Sequence, residues 1–331
     1  MGNFLEHEKN NQIAFKLRSP TISEQARGDG FFRGKFRPFC LPQEYAGENL
    51  YPLIREDALA FFREKKISWH QGNSGKPSNH LCDSQVCAVN FLFAFTNRPA
   101  ELAKLLKPIF PNYHKMLPVE DALYVSFEWI GNENSQGERA HGEGTRTRGA
   151  NFTSADAAVM FENLEGQKQV VLVEWKYTES YPGNYLGIAK SGTDRRKIYQ
   201  HLFENHDCVI DLAKLPNVDA LYYEPFYQLM RQQFLASKME AARELGADIV
   251  SLLHIAPGIN EDFKKITSPD LIGLGKTAVE VWENLVNTEG RFFSVQTEDL
   301  FGGLARVAME DWIQYIRTRY PWVTRKQHSA G

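Results

Sequence analysis

No stretch of this 331-residue chain is long and apolar enough to span a bilayer, and Met1 to Ser19 is too polar for a secretory signal. Membrane insertion is set aside on that ground, and a cytoplasmic location is the expectation. Cysteine is scarce. The four present (Cys40, Cys82, Cys87 and Cys208) show neither C-x-x-C nor zinc-ligand spacing, so they read as reduced, packed thiols. An excess of positive charge is also missing: 38 Lys and Arg stand against 41 Asp and Glu, a net charge of −3. Affinity for nucleic acid would therefore have to come from local patches. A complete phosphate-binding loop is lacking too. Gly273-Leu274-Gly275-Lys276-Thr277 ends like one, but Asp270 stands where its first glycine belongs, so nucleotide hydrolysis is not expected. No internal repeat or low-complexity linker divides the chain. What it has in quantity is apolar: 43% hydrophobic residues, with six Trp, thirteen Tyr and twenty-two Phe. That is enough for one large core or two modest ones, and it argues against disorder.

The most informative segment is Val170-Val171-Leu172-Val173, a β-branched run that reads as a buried strand and closes on Glu174-Trp175-Lys176. Alternate residues of a strand share a face, so Glu174 and Lys176 project together and Trp175 points the other way. Upstream, Ala157 to Phe161 reads as a second strand, and Asn163 to Lys168 carries turn chemistry around Gly166. The two form an antiparallel hairpin. A turn centred on Glu165 sets Asp156 against Glu174, and one centred on Gly166 sets it against Lys176. A shift by one residue would instead bring Trp175 opposite. Either of the first two registers gathers an Asp, a Glu and a Lys on one face.

Two convergent carboxylates make an all-oxygen site suited to Mg²⁺ or Mn²⁺. A lysine beside them can orient a water and stabilise negative charge as it develops. The set fits phosphodiester hydrolysis. A plain salt bridge at a sheet edge fits the same three residues.

With "TSAD" at Thr153 to Asp156 and "VVLVEWKYTES" at Val170 to Ser180, the chain resembles the PD-(D/E)XK nuclease superfamily, of restriction-endonuclease-like fold. More narrowly it is similar to a group of bacterial restriction-endonuclease-like nucleases. "CDSQVCAVNFLFAF" (Cys82 to Phe95) and "VSFEWIG" (Val125 to Gly131) carry that likeness. The resemblance implies a metal-dependent nuclease acting on DNA, with Asp156 and Glu174 as metal ligands. The Trp175 backbone carbonyl is a further ligand, Glu128 could complete the shell, and Lys176 positions the attacking water. Ala155, not proline, precedes Asp156, which the chemistry tolerates because it needs only the carboxylate. Some nucleases of this superfamily hold an iron–sulfur cluster with most of its cysteines after the core; here three of four precede the motif, so none is expected.

An α/β core of order α-β-β-β-α-β, a mixed sheet flanked by helices, is implied, and the periodicities agree. Ser84 to Phe95 reads as a helix, Ala122 to Ile130 as a strand, and Tyr227 to Leu245 as a long helix after Pro225. Asp248 to Ile255 is a further buried strand, extended by a strand at Arg291 to Gln296 and a helix at Leu304 to Tyr320. Residues 76–331 would form the nuclease-like domain, and residues 1–75 an N-terminal extension. Within that extension Tyr51 to Lys65 looks helical, and the first thirty residues look mobile.

Several segments could touch substrate. Gly30 to Phe39 interleaves Arg33, Lys35 and Arg37 with four phenylalanines, which suits either a nucleic-acid arm or a segment laid across the sheet. Asn132 to Asn151, rich in glycine and carrying Arg139, His141, Arg146 and Arg148, reads as a loop that emerges near the motif. Arg195, Arg196 and Lys197 open a helix capped by Thr193 or Asp194, where cations oppose the helix dipole unless an anion is near. Gln85, Asn90, Glu179, Gln228 and Gln232 are candidates for supporting roles around the acids, and His254 reads as a core histidine. A module of the same fold that binds nucleic acid without turnover, and an RNA-cleaving enzyme, are the competing functions. Cutting both strands would suit a homodimer, although no segment specifies an interface.

Overall fold

Alternating and β-branched runs pair into one six-stranded mixed sheet, and helical runs cover both of its faces. The computed structural model describes residues 4–132, 136–138, 146–150, 152–302 and 308–324. Helix α1 (Phe4–Arg18) leads into a separate small hairpin of β1 (Gly30–Phe32) and β2 (Lys35–Arg37), and then into α2 (Arg55–Glu64). Next come α3 (Ser84–Leu92), α4 (Pro99–Leu106), β3 (Tyr113–Leu117), β4 (Val125–Trp129), β5 (Ala155–Asn163) and β6 (Lys168–Trp175). The remainder is α5 (Arg195–Phe203), α6 (Phe226–Ala241), β7 (Ile249–Ala256), α7 (Ala278–Leu285), β8 (Phe292–Gln296), α8 (Thr297–Phe301) and α9 (Glu310–Arg319). The order α3-β4-β5-β6-α6-β7 is the expected core order, with α4, β3 and α5 inserted in it. Among the described residues no helix is long and apolar enough to cross a membrane.

The centre of the sheet is set by one turn. Asn163 Oδ1 accepts the backbone N–H groups of Glu165 (3.1 Å) and Gln167 (2.9 Å), an Asx-type closure. Gly166 takes φ +79° with open space around it, which an L side chain would resist. This turn centres on Glu165, so Ala157 pairs with Val173 and Val159 with Val171, all antiparallel. β4 lies along the other edge of β5 (Val125 opposite Val159), with β3 continuing along that edge from Met160. β7 pairs parallel with β6, and β8 parallel with β7.

Side-chain alternation divides the apolar residues into two cores, one on each face. Val171, Val173 and Trp175 join α1, α3 and α9, whereas Val170 and Leu172 join α5, α6 and α7. The residues from Gln85 to Leu92 in α3 are all buried, as expected of a helix apolar on all sides. Its first turn is fixed by Asp83, whose side chain accepts the Val86 N–H at 2.9 Å.

Two expectations change. The first thirty residues are not loose, because α1 buries Glu8, Gln12 and Lys16. Glu8 accepts from the Tyr177 hydroxyl (2.6 Å) and Trp322 Nε1 (3.0 Å), and Gln12 donates to the Arg319 carbonyl (3.0 Å). A search for an apolar stripe overlooks a helix whose buried face is mostly polar, with only Phe4 and Phe15 apolar. At the other end, the last helix begins at Glu310 rather than Leu304; residues 303–307 lie outside those described.

Phe91 packs its ring against Trp175 (4.9 Å), Phe301 (4.8 Å) and Tyr320 (5.1 Å). Phe91→Ala should lower the unfolding free energy by about 3–5 kcal/mol. Urea denaturation followed by tryptophan fluorescence would show this as an earlier midpoint with an unchanged slope.

Candidate active site

The register of the sheet lays a polar row across its strands. Continuing the β5–β6 pairing sets Asp156 level with Glu174, and Glu174 pairs with His254 on β7, which pairs with Ser294 on β8. On the other side, Glu128 falls between the Phe127–Ala157 and Trp129–Ala155 pairs, level with Asp156. The alternative in which Asp156 faces Lys176 is not adopted. Glu128, Asp156 and Glu174 therefore come together at the converging ends of three strands, and Lys176 follows β6.

Each acid has its own hold. Asp156 accepts the Trp175 backbone N–H at 2.6 Å. Glu174 is fully buried; one of its oxygens accepts from Lys176 Nζ and the other from Gln232 Nε2. Lys176 also donates to Gln228 Oε1 at 2.7 Å, so Gln228 and Gln232, one turn apart on α6, grip the amine and the acid in turn. Glu128 accepts from Gln85 Nε2 (2.6 Å) and Ser154 Oγ (2.7 Å). It adopts φ +50°, a strained left-handed conformation for a residue with a side chain. Arg148 braces that kink. Its guanidinium donates to the carbonyls of Phe127 (3.0 Å) and Glu128 (3.2 Å), to Ser126 Oγ (2.7 Å), and to Glu120 (3.0 Å). Ser84, at the start of α3, donates to the Trp175 carbonyl at 3.4 Å.

The electrostatics follow from burial. Desolvation, then repulsion from Glu174 and Glu128, holds the Asp156 carboxyl well above the usual range. Burial also raises Glu174 despite Lys176, and raises Glu128 despite Ser154 and Gln85. Burial alone would depress Lys176, but Glu174 beside it lifts its pKa well above normal, so the amine stays charged. His254 is held neutral, with its pKa pushed down to about 3 by burial and then by Lys176, and its Nδ1 lies 3.0 Å from Ser294 Oγ. It is a satisfied core histidine that also adjoins the acids.

The other candidates divide. Gln85, Gln228 and Gln232 touch the acids or the amine. Glu179 sits close by, accepting the Tyr177 N–H at 2.8 Å. Asn90 does not belong to the site, because it bonds Tyr51 N, the Asn49 carbonyl and the Tyr320 hydroxyl. Arg146 donates to the carbonyls of Gly131 and Ile130, and Arg148 is the brace just described, so neither is free to grip a strand. Arg139 and His141 lie outside the described residues. Arg195 donates to the Leu186 carbonyl (3.0 Å), and Arg196 pairs with Asp194, which caps α5. Lys197 is exposed. Sequence reasoning passed over Ser154, although it stands two residues from Asp156. It also passed over Glu138, whose buried carboxylate binds Thr153, Tyr199 and Arg231; partners so distant leave no local signal.

An acid on one strand of a hairpin, an acid-x-lysine closing the next, and helices on both sides of a mixed sheet define a restriction-endonuclease-like α/β protein. The chain belongs to the family described as restriction endonuclease associating with ARP, whose profile matches residues 10–321. No curated protein and no solved structure matches it.

The donor set at the site is entirely oxygen, and two buried carboxylates with the half-buried Asp156 face one ammonium, an imbalance that a divalent cation would cancel. Gln232 Oε1 is buried there without a partner. The chemistry therefore fits a hard divalent metal. Preformed coordination does not accompany it: among the described residues no three acidic, histidine or cysteine side chains are arranged to hold an ion, since Glu174 is committed to Lys176 and Gln232.

A carboxyl whose folded pKa is raised favours the fold below its unfolded value, near 3.9 for Asp, and loses that contribution as pH rises through the folded value. Asp156→Asn should therefore raise the melting temperature of chelator-treated protein at pH 8, with a smaller gain at pH 5. Thermal scans at the two pH values would test this; an equal or opposite shift would contradict it.

Proposed function

We propose that this protein is a metal-dependent nuclease that hydrolyses DNA phosphodiester bonds in a restriction or repair setting, in the cytoplasm. One observation carries the reading: buried Glu128 and Glu174, the half-buried Asp156 and a charged lysine gathered at the strand ends, with acids whose raised pKa values a bound cation would bring down. Asp156, Glu174, the Trp175 carbonyl and Glu128 would hold Mg²⁺ or Mn²⁺. When bound, the cation would lower the pKa of a water and neutralise charge on the scissile phosphate. Lys176, steadied by Gln228, would orient the attacking water and stabilise the charge growing on the phosphoryl oxygens. Gln85 and Ser154 keep Glu128 in place, and Gln232 keeps Glu174 from swinging away. The amides are neutral, so they position the acids without competing for their charge.

A second reading has an observation of its own. Glu174 is already satisfied by Lys176 and Gln232, which would equally suit a nucleic-acid-binding module of this fold that has lost turnover. The two differ in a plasmid assay with Mg²⁺ or Mn²⁺, run beside an RNA substrate. Nicking that chelator stops, and that Lys176→Ala reduces at least about 100-fold with unchanged circular dichroism, is the expected result. Binding without cleavage under either metal would favour the module, and cleavage of RNA alone would change the substrate.

A further inference from the structure

The β1–β2 hairpin exposes two aromatic rings that a folded protein would ordinarily bury. Phe31 is 54% exposed and Phe36 70%, and their rings meet edge to face at 5.4 Å. They face each other across the ladder, where Phe31 pairs with Phe36. The turn is Arg33-Gly34, both at positive φ, as a tight hairpin of this hand requires. Arg33 at the turn lies over the Phe32 ring at 5.2 Å, Lys35 and Arg37 flank Phe36 in sequence and alternate to the other face of the ladder, and none of the three forms an ion pair among the described residues. The base is rigid. Phe32 and Phe39 flank the His80 ring at 4.9 and 5.1 Å, and Asn79 Nδ2 donates to the carbonyls of Phe31 (3.2 Å) and Leu41 (2.7 Å). Gly30 is required where it stands, since a Cβ there would lie 1.9 Å from the Leu41 carbonyl oxygen.

This mount leads directly to the site. His80 precedes Ser84 by four residues, at most about 15 Å of chain. Ser84 and Gln85 touch the Trp175 carbonyl and Glu128. Duplex DNA carries a charge every ~1.7 Å of its axis, so one bound molecule can span both places. We infer that the β1–β2 hairpin is a DNA contact, with its cations on phosphates and the Phe31–Phe36 pair against unstacked bases. The proposal rests on the nuclease reading only for the identity of the ligand. The hairpin thus offers an exposed ring pair on one face and cations without ion pairs at its turn and on its other face, a combination that suits a ligand with both stacking bases and phosphates.

The test uses the full chain without metal, so that binding is measured apart from cleavage. DNA carrying a short unpaired stretch is titrated at several salt concentrations, beside fully paired DNA and RNA of the same length. Phe31→Ala/Phe36→Ala should weaken binding to the unpaired stretch roughly tenfold or more and leave the salt slope unchanged. Arg33→Ala/Lys35→Ala should weaken binding to paired and unpaired DNA alike and reduce the slope by about 2. All four positions are exposed, so unchanged circular dichroism is expected. Wild-type affinity in both double variants would overturn the proposal, as would failure of the parent chain to bind DNA. Loss of self-association in the ring variant, with DNA binding intact, would reassign the rings to a contact between copies, and tighter binding of RNA would reassign the ligand. Metal-dependent nicking by the parent chain, assayed separately, judges the nuclease reading whatever the hairpin does.

Discussion

Gathering three carboxylates in a space with one ammonium is the constraint around which the molecule is arranged. Like charges out of water repel strongly and lose hydration, so such a cluster persists only if the surrounding fold is stable enough to impose it. The sheet imposes it through register. Asn163 closes its turn on its own backbone, Glu165 becomes the centre of the hairpin, and Asp156 can then stand only beside Glu174. A pairing slipped by one residue would instead bring Trp175 opposite Asp156. Glu128 reaches the same place by another route, a left-handed kink that Arg148 holds from the backbone side.

The helical layers contribute neutral hydrogen-bonding groups where more charge would be harmful. α3 supplies Gln85, and α6 supplies Gln228 and Gln232, all amides. They satisfy the lone pairs of the acids and orient Lys176 while leaving the charge imbalance in place. The fold therefore keeps a negative centre within an apolar frame, at a cost borne by the two cores. Aromatic packing is dense on the α3 face, where Trp175 and Phe91 lie directly behind the acid-bearing strand. Burial also keeps Cys40, Cys82 and Cys87 inert, with the Cys40 thiol pushed up to about 12.

Much of this was legible beforehand. The hairpin, the buried strand at Ile249–Ala256 and the long helix α6 all declare themselves through β-branched runs, a glycine turn and 3.6-residue periodicity. Asp156, Glu174 and Lys176 could be placed on one face by alternation alone. α1 was illegible, because most of its buried residues are polar (Glu8, Gln12 and Lys16, beside Phe4 and Phe15) and the partners of Glu8 and Gln12 lie far along the chain. The arginines misled for a related reason. Arg146 and Arg148 stand in a glycine-rich segment that suggests a loop open to ligand, yet backbone carbonyls of β4 and the residues after it claim their guanidiniums.

The amino-acid order alone determined which side chains alternate on a strand, where the chain can turn, and that either of two registers brings an acid to an acid-x-lysine pair. These are consequences of covalent spacing and local backbone preference, and they act over a few residues. Tertiary structure decided how Glu128 joins the acids, which amides hold them, and which cations are already spent inside the fold. Such outcomes depend on groups brought together from distant parts of the chain, and on the removal of water that gives their charges strength.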